Sequence, residues 1–114
     1  MNSIRESEGY SLLQTWNTTA ISVVFKFTSA GKVVTLRGTG AIVRLDDFLV
    51  IEGEGCGFAA DLEGAAIKDF ATSVLMLSAG VDPAKYPEFV VLSIGGMHRL
   101  EVSIPPAPAS GFLQ

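Results

Sequence analysis

The sequence predicts one mainly β domain, a small β-barrel built from bent strands, with an N-terminal helix and an appended C-terminal β-hairpin. Apolar and polar residues alternate over residues 20–28, which is the pattern of a strand buried on one face. A second, longer apolar segment contains Gly38 and Gly40, and glycines inside a strand allow a sharp bend. Two later apolar runs are joined by Gly95-Gly96, a pair typical of a tight hairpin turn.

The N-terminal segment predicts a short helix within residues 1–18. Leu12, Leu13 and Trp16 share one face at helical spacing, so we expect this face to dock on the rest of the domain. The alternating strand follows, and a glycine-containing hairpin turn at residues 29–32 leads into the second strand.

The middle of the chain predicts three further strands separated by turns. The strands cover residues 33–45, 48–52 and 58–62, with turns at Asp46-Asp47 and at residues 53–57.

The stretch from residue 65 to residue 79 fits two structures. Its apolar residues recur at helical spacing and few of them are β-branched, which favours a helix over residues 70–79. The alternative is a fifth strand through residues 67–77. Periodicity alone does not separate a short buried strand from a helix segment.

The predicted C-terminal hairpin joins strands at residues 88–94 and 97–104. A two-residue glycine turn sets a register in which one face is apolar and packs inward. That face carries Phe89, Val91, Leu100 and Val102. The domain therefore covers residues 1–104, and the proline-rich residues 105–114 are expected to form a flexible tail.

Composition excludes several classes of protein. The net charge is −4 and the eight basic residues are scattered, which counts against tight binding to nucleic acid through its phosphates. No apolar run approaches the roughly 18 residues that a membrane-spanning helix needs, and the N-terminus has no secretory pattern. A single cysteine cannot form an internal disulfide. We therefore expect a cytoplasmic protein that makes no membrane contact.

No catalytic constellation emerges from the sequence. The single histidine, His98, lies on the apolar side of a predicted strand and is expected to pack there, and Cys56 has no cationic neighbour in sequence to activate it. We predict no enzyme activity, cofactor or metal site. The alternative is an enzyme or ligand-binding protein that uses carboxylates at Asp46, Asp47 or Glu54, although acidic residues are also common in solvated turns.

Two motifs resemble a known family. Residues 40–51, GAIVRLDDFLVI, are similar to the core motif of Sm-like proteins, especially the bacterial Hfq type, and residues 62–67 resemble its short second motif more faintly. The likeness covers about residues 10–70. It implies a non-catalytic homo-oligomer, joined edge to edge through the fourth and fifth strands, that binds RNA. Phe48 matches the residue that stacks on a base, so Phe48, Asp46 and Asp47 are the candidate contacts to RNA or another ligand.

The chain also departs from that family. Gly64 and Ala65 occupy the positions of a Lys-His pair that faces RNA in Hfq-type proteins, and Glu63 replaces an arginine of the eukaryotic version. The alternative function is therefore a protein-interaction or regulatory scaffold that binds a protein partner and no nucleic acid.

Overall fold

The computed structural model describes residue 4 and residues 7–29, 31, 35–95 and 97–104. These residues form seven strands and two α-helices. In chain order they are α1 (Glu8–Thr19), β1 (Ser22–Thr28), β2 (Thr35–Leu45), β3 (Phe48–Gly53), β4 (Cys56–Asp61), β5 (Ala66–Ala71), α2 (Ser73–Ser78), β6 (Glu88–Ile94) and β7 (His98–Ile104), with a 3-10 turn at Pro83–Lys85 before β6. The predicted tail at 105–114 lies outside the described residues.

All seven strands belong to one antiparallel sheet, in the order β4-β3-β2-β1-β7-β6-β5. The mainly β class is therefore confirmed. Among the described residues no ladder joins β4 to β5, so these two strands are the edges of an unclosed sheet. A closed barrel stays a prediction.

The sheet curves around helix α1. The Ser7 side chain caps the helix by accepting a hydrogen bond from the Gly9 N–H at 3.1 Å. The helix packs against β2 and also against β5 and β6, which lie towards the other end of the sheet. Leu13 is fully buried and Trp16 is 2% exposed, as the apolar face of the predicted helix required. The core therefore lies between α1 and the concave face of the sheet.

The glycines of β2 serve close packing. Gly38 is the partner of Phe25 in β1, and a Cβ on Gly38 would lie 2.7 Å from atoms of the Phe25 ring. A Cβ on Gly40 would lie 2.5 Å from the backbone oxygen of Glu52 in β3. The irregularity in the β2–β3 ladder falls instead between Ile42 and Arg44. Only glycine therefore fits at these two points of close approach.

The ambiguous stretch contains both a strand and a helix. Residues Ala66–Ala71 pair with β6, and the Thr72 side chain caps α2 by accepting a hydrogen bond from the Leu75 N–H at 3.1 Å. The predicted helix is confirmed for residues 73–78 and is wrong for residues 70 and 71. The ladder with β6 prevails there because it satisfies backbone groups that a short helix would leave unpaired.

The C-terminal hairpin has a different register from the predicted one. Ile94 pairs with His98, so the connection has three residues, 95–97. This shift by one residue places Val90 and Leu92 in the core with Leu100 and Val102, and turns Phe89 and Val91 to the opposite face. The hairpin is also not an appendage, since β7 pairs with β1 in the middle of the sheet.

Candidate functional site

The candidate contact residues lie in the turn between β2 and β3. Asp46 closes this turn from both sides: its N–H donates to the Phe48 carbonyl at 3.0 Å, and its Oδ1 accepts from the Phe48 N–H at 2.9 Å. Aspartate favours such a turn because its short side chain reaches a backbone N–H two residues ahead. The sequence prediction of a turn at Asp46-Asp47 is confirmed.

Arg44 contacts both the Asp46 carboxylate and the Phe48 ring. Its Nε lies 2.9 Å from both Oδ1 and Oδ2 of Asp46, and its guanidinium carbon lies 5.1 Å from the centroid of the Phe48 ring. The hydrogen bond from the Phe48 N–H, and secondarily the one from Arg44, hold the pKa of Asp46 below its ordinary value. Asp46 therefore stays ionised and works as a structural acceptor in the turn.

The end of β4 comes against this turn and adds two carboxylates. Asp61 is the ladder partner of Phe48, and its Oδ1 accepts from the Glu63 N–H at 2.9 Å. The Leu62 N–H donates to the Asp47 carbonyl at 2.9 Å, which fixes one turn to the other. Two segments separated in sequence therefore meet at one site.

Together these segments line an open cleft of about 520 Å³. Its lining combines four carboxylate side chains with three apolar ones, namely Asp46, Asp47, Asp61, Glu63, Ile4, Phe48 and Leu62. All charged side chains among the described lining residues are carboxylates, and one of them, Asp46, is paired with Arg44, so this described lining attracts cationic groups and repels phosphate. A side chain of a basic protein segment fits this electrostatic field better than an RNA backbone does.

The structure gathers the three predicted contact residues, Asp46, Asp47 and Phe48, at one cleft. Sequence reasoning missed Asp61 and Glu63 there. Asp61 had only its place at the end of a predicted strand as a local signal, and Glu63 was noted only as the replacement of an arginine in the second motif, because the contact with the β2–β3 turn is made through the fold. Whether these residues contact RNA or another ligand stays a prediction.

The remaining candidates lie elsewhere. The His98 ring packs 5.6 Å from the ring of Phe27, centroid to centroid, in agreement with the expected packing role. Cys56 begins β4, and its Sγ lies 3.5 Å from the Thr39 carbonyl oxygen. Glu54 lies exposed in the β3–β4 turn. Within the described ranges no three His, Cys, Asp or Glu side chains are grouped as they would be to hold a metal ion.

The two sheet edges differ in chemistry. β4 has the sequence CGFAAD, with small residues at most positions and no proline, lysine or arginine to block pairing. β5 carries a register irregularity between Ile67 and Asp69, with Lys68 as the extra residue. β4 is therefore the less protected edge.

Comparison with known proteins adds no relative: no family model, curated protein or solved structure matches the chain. Neither described helix is long and apolar enough to cross a lipid bilayer.

Proposed function

We propose that this chain is a divergent Sm-like, Hfq-type protein that acts as a non-catalytic interaction module and assembles with copies of itself through its sheet edges. The observation that carries the proposal is that β4 and β5, at opposite ends of one antiparallel sheet, each have a free edge among the described strands. The resemblance in the sequence implies assembly through the fourth and fifth strands, and these are the two edge strands here. The order of helix, strand, glycine-containing strand, aspartate turn and apolar strand also supports the kinship.

The backbone geometry of β4 supports pairing at that edge. The Leu62 N–H points to the β3 side of the strand and bonds the carbonyl of Asp47, the residue just before β3. Because antiparallel partners alternate between bonded and non-bonded pairs, the N–H groups of Phe58 and Ala60 also point to β3. Those of Gly57 and Ala59 then point outward. An added strand would satisfy these outward donors and the carbonyls between them.

The side chains of the two edge strands favour pairing of β4 with β5 of another copy over pairing of β4 with a second β4. β4 carries one charge, the carboxylate of Asp61, whereas β5 presents Lys68, so a β5 partner offers β4 a cation and a second β4 does not. Pairing of β4 with β5 of the next copy is head to tail, and this geometry closes into a ring when the rotation permits. Pairing of β4 with β4 would instead give a two-fold dimer.

The ligand of the assembled module is best explained as a protein. The carboxylate-lined cleft beside Phe48 opposes phosphate, and the net charge of −4 opposes it over longer distances. We therefore favour a protein-interaction scaffold, with RNA binding as the competing outcome in the test.

The test is the absolute mass in solution, measured by light scattering after size exclusion, for the wild type and for Ala59→Pro. Proline removes an outward N–H of β4 and leaves the β3–β4 ladder intact, since proline is tolerated on edge strands. The wild type should form a discrete oligomer of its 12.0 kDa chain, and the proline variant should run as a monomer.

The matched control is Ala59→Ser, which keeps the N–H and should assemble like the wild type. A monomeric wild type, or an Ala59→Pro variant that assembles normally, would overturn the proposal of assembly through β4. Repeating the measurement with short uridine-rich and adenine-rich RNA decides the ligand class. A mass increase that survives physiological salt would favour RNA over a protein partner.

A further inference from the structure

A second cavity, away from the acidic cleft, lies where β5, β6 and β7 meet. Its volume is about 220 Å³. The side chains that concern a ligand are three polar donors and one flexible apolar residue: Lys68, Ser93, Arg99 and Met97. Val91, Leu92 and His98 complete the described lining. None of these residues belongs to the proposed contact site at the β2–β3 turn.

The backbone brings these donors together. Ser93 and Arg99 are direct partners in the β6–β7 ladder, so their Cβ atoms lie about 5 Å apart, as in any such pair. Lys68 is the extra residue of the β5 bulge, which interrupts the ladder between Ile67 and Asp69. A bulge commonly redirects a side chain next to a functional site. The three donors thus come from three adjacent strands.

The cavity differs in its charged lining from two other cavities of the protein. Carboxylates line both the cleft beside Phe48 and a neighbouring cavity of about 280 Å³, the latter through Asp69 and Glu101. Among the described residues, no carboxylate lines the cavity of Lys68, Ser93 and Arg99. Glu101 binds Arg99 from the adjoining cavity, so Lys68 is the lining cation that has no ion-pair partner among the described residues.

Both cationic side chains retain hydrogen-bonding capacity. Lys68 makes no ion pair within the part of the chain that the structure describes. Arg99 binds Glu101 through Nη2 at 3.2 Å, and the other guanidinium N–H groups remain available to a second acceptor. The ammonium, the guanidinium and the hydroxyl line the same cavity, so an oxyanion held there would have charged and neutral donors within its lining.

We propose that this cavity binds a compact oxyanion, a carboxylate or phosphate group carried by a small molecule. Lys68 supplies a point charge, Arg99 a planar pair of donors and Ser93 a neutral donor. Pockets for drug-sized ligands occupy about 300–1,000 Å³, so the smaller volume selects a group of few atoms. Met97, whose side chain is 71% exposed, can cover a short hydrocarbon portion of the ligand.

The experiment is an NMR titration of ¹⁵N-labelled full-length protein at constant ionic strength, with inorganic phosphate in one arm and butyrate in the other. Saturable shifts should appear at the amides of Lys68, Ser93 and Arg99 in at least one arm. The arm that saturates at lower concentration identifies the source of the oxyanion. Lys68→Gln should weaken the apparent affinity by about tenfold, because it removes a charge-assisted hydrogen bond.

Lys85→Gln is the matched control, since it removes the same charge at the 3-10 turn, outside the cavity, and should bind like the wild type. If Lys68→Gln loses its dispersed spectrum, Arg99→Gln carries the same test. Shifts that grow linearly without saturation in both arms, or an affinity unchanged in the Lys68 variant, would overturn the proposal. Because Lys68 lies on β5, the proposed partner of β4, light scattering of the Lys68 variant separates a loss of oxyanion binding from a loss of assembly.

Discussion

Removal of the Leu13 side chain tests whether helix α1 is an integral part of the core. Leu13 is fully buried in the α1 face that the sheet surrounds. Leu13→Ala removes buried methyl groups and leaves a cavity, and such changes in well-packed cores cost about 3–5 kcal/mol. For a domain of this size, that loss lowers the melting temperature by about 12–20 °C, at roughly 4 °C per kcal/mol.

Urea unfolding followed by fluorescence measures this loss. Trp16 is the single tryptophan of the chain, lies one turn from Leu13 and is 2% exposed, so its emission reports directly on release of the helix. The transition midpoint should fall while the slope with urea stays unchanged, because the variant exposes nearly the same area on unfolding.

The same substitution at an exposed site is the control. Leu77 on α2 is 65% exposed, so Leu77→Ala should change the free energy of unfolding by no more than about 0.5 kcal/mol. Equal, small effects of the two substitutions would refute the placement of α1 inside the curved sheet.

Two further predictions concern the long second strand and its turn. Gly38→Ala should destabilise the fold by about 1–3 kcal/mol, because the new Cβ would lie 2.7 Å from the Phe25 ring. The control is Gly57→Ala, whose Cβ would have its nearest neighbour at 3.7 Å and which should be nearly neutral in the same urea assay. Asp46 has a lowered pKa in the folded state, since the Phe48 N–H stabilises its charged form. Its contribution to the free energy of unfolding is therefore fully present above the unfolded pKa of about 3.9. This contribution is lost as the pH falls through the lower pKa of the folded state. Asp46→Asn should therefore be less stable than the wild type at neutral pH, and the difference should shrink below about pH 4 in acid titrations; a difference that stays constant with pH would contradict this role.

Local signals predicted much of the chain. The alternation over residues 20–28 identified β1, and the acidic pair Asp46-Asp47 identified the turn before β3. The helical spacing that includes Leu13 and Trp16 identified α1 and its buried face. Each of these features depends on residues close in sequence, which is why periodicity and turn chemistry were sufficient.

The remaining features depend on contacts between distant residues. The hairpin register was wrong by one residue because two adjacent glycines do not determine which of 95–97 belong to the loop. Pairing of β7 with β1 joins residues about 75 positions apart, and no local pattern specifies it. The cleft could not be predicted either, because it also depends on contacts between distant residues. Asp61 and Glu63 approach Phe48 only through the β3–β4 ladder and the turn that follows it.

The most direct test of assembly through β4 is amide hydrogen exchange along this strand, measured by NMR at low and high protein concentration. Phe58 and Ala60 direct their N–H groups to β3 and should exchange slowly throughout. If copies pair at this edge, the outward N–H groups of Gly57 and Ala59 should become as slow as their neighbours when concentration rises. Exchange at Gly57 and Ala59 that stays fast at every concentration would contradict the account.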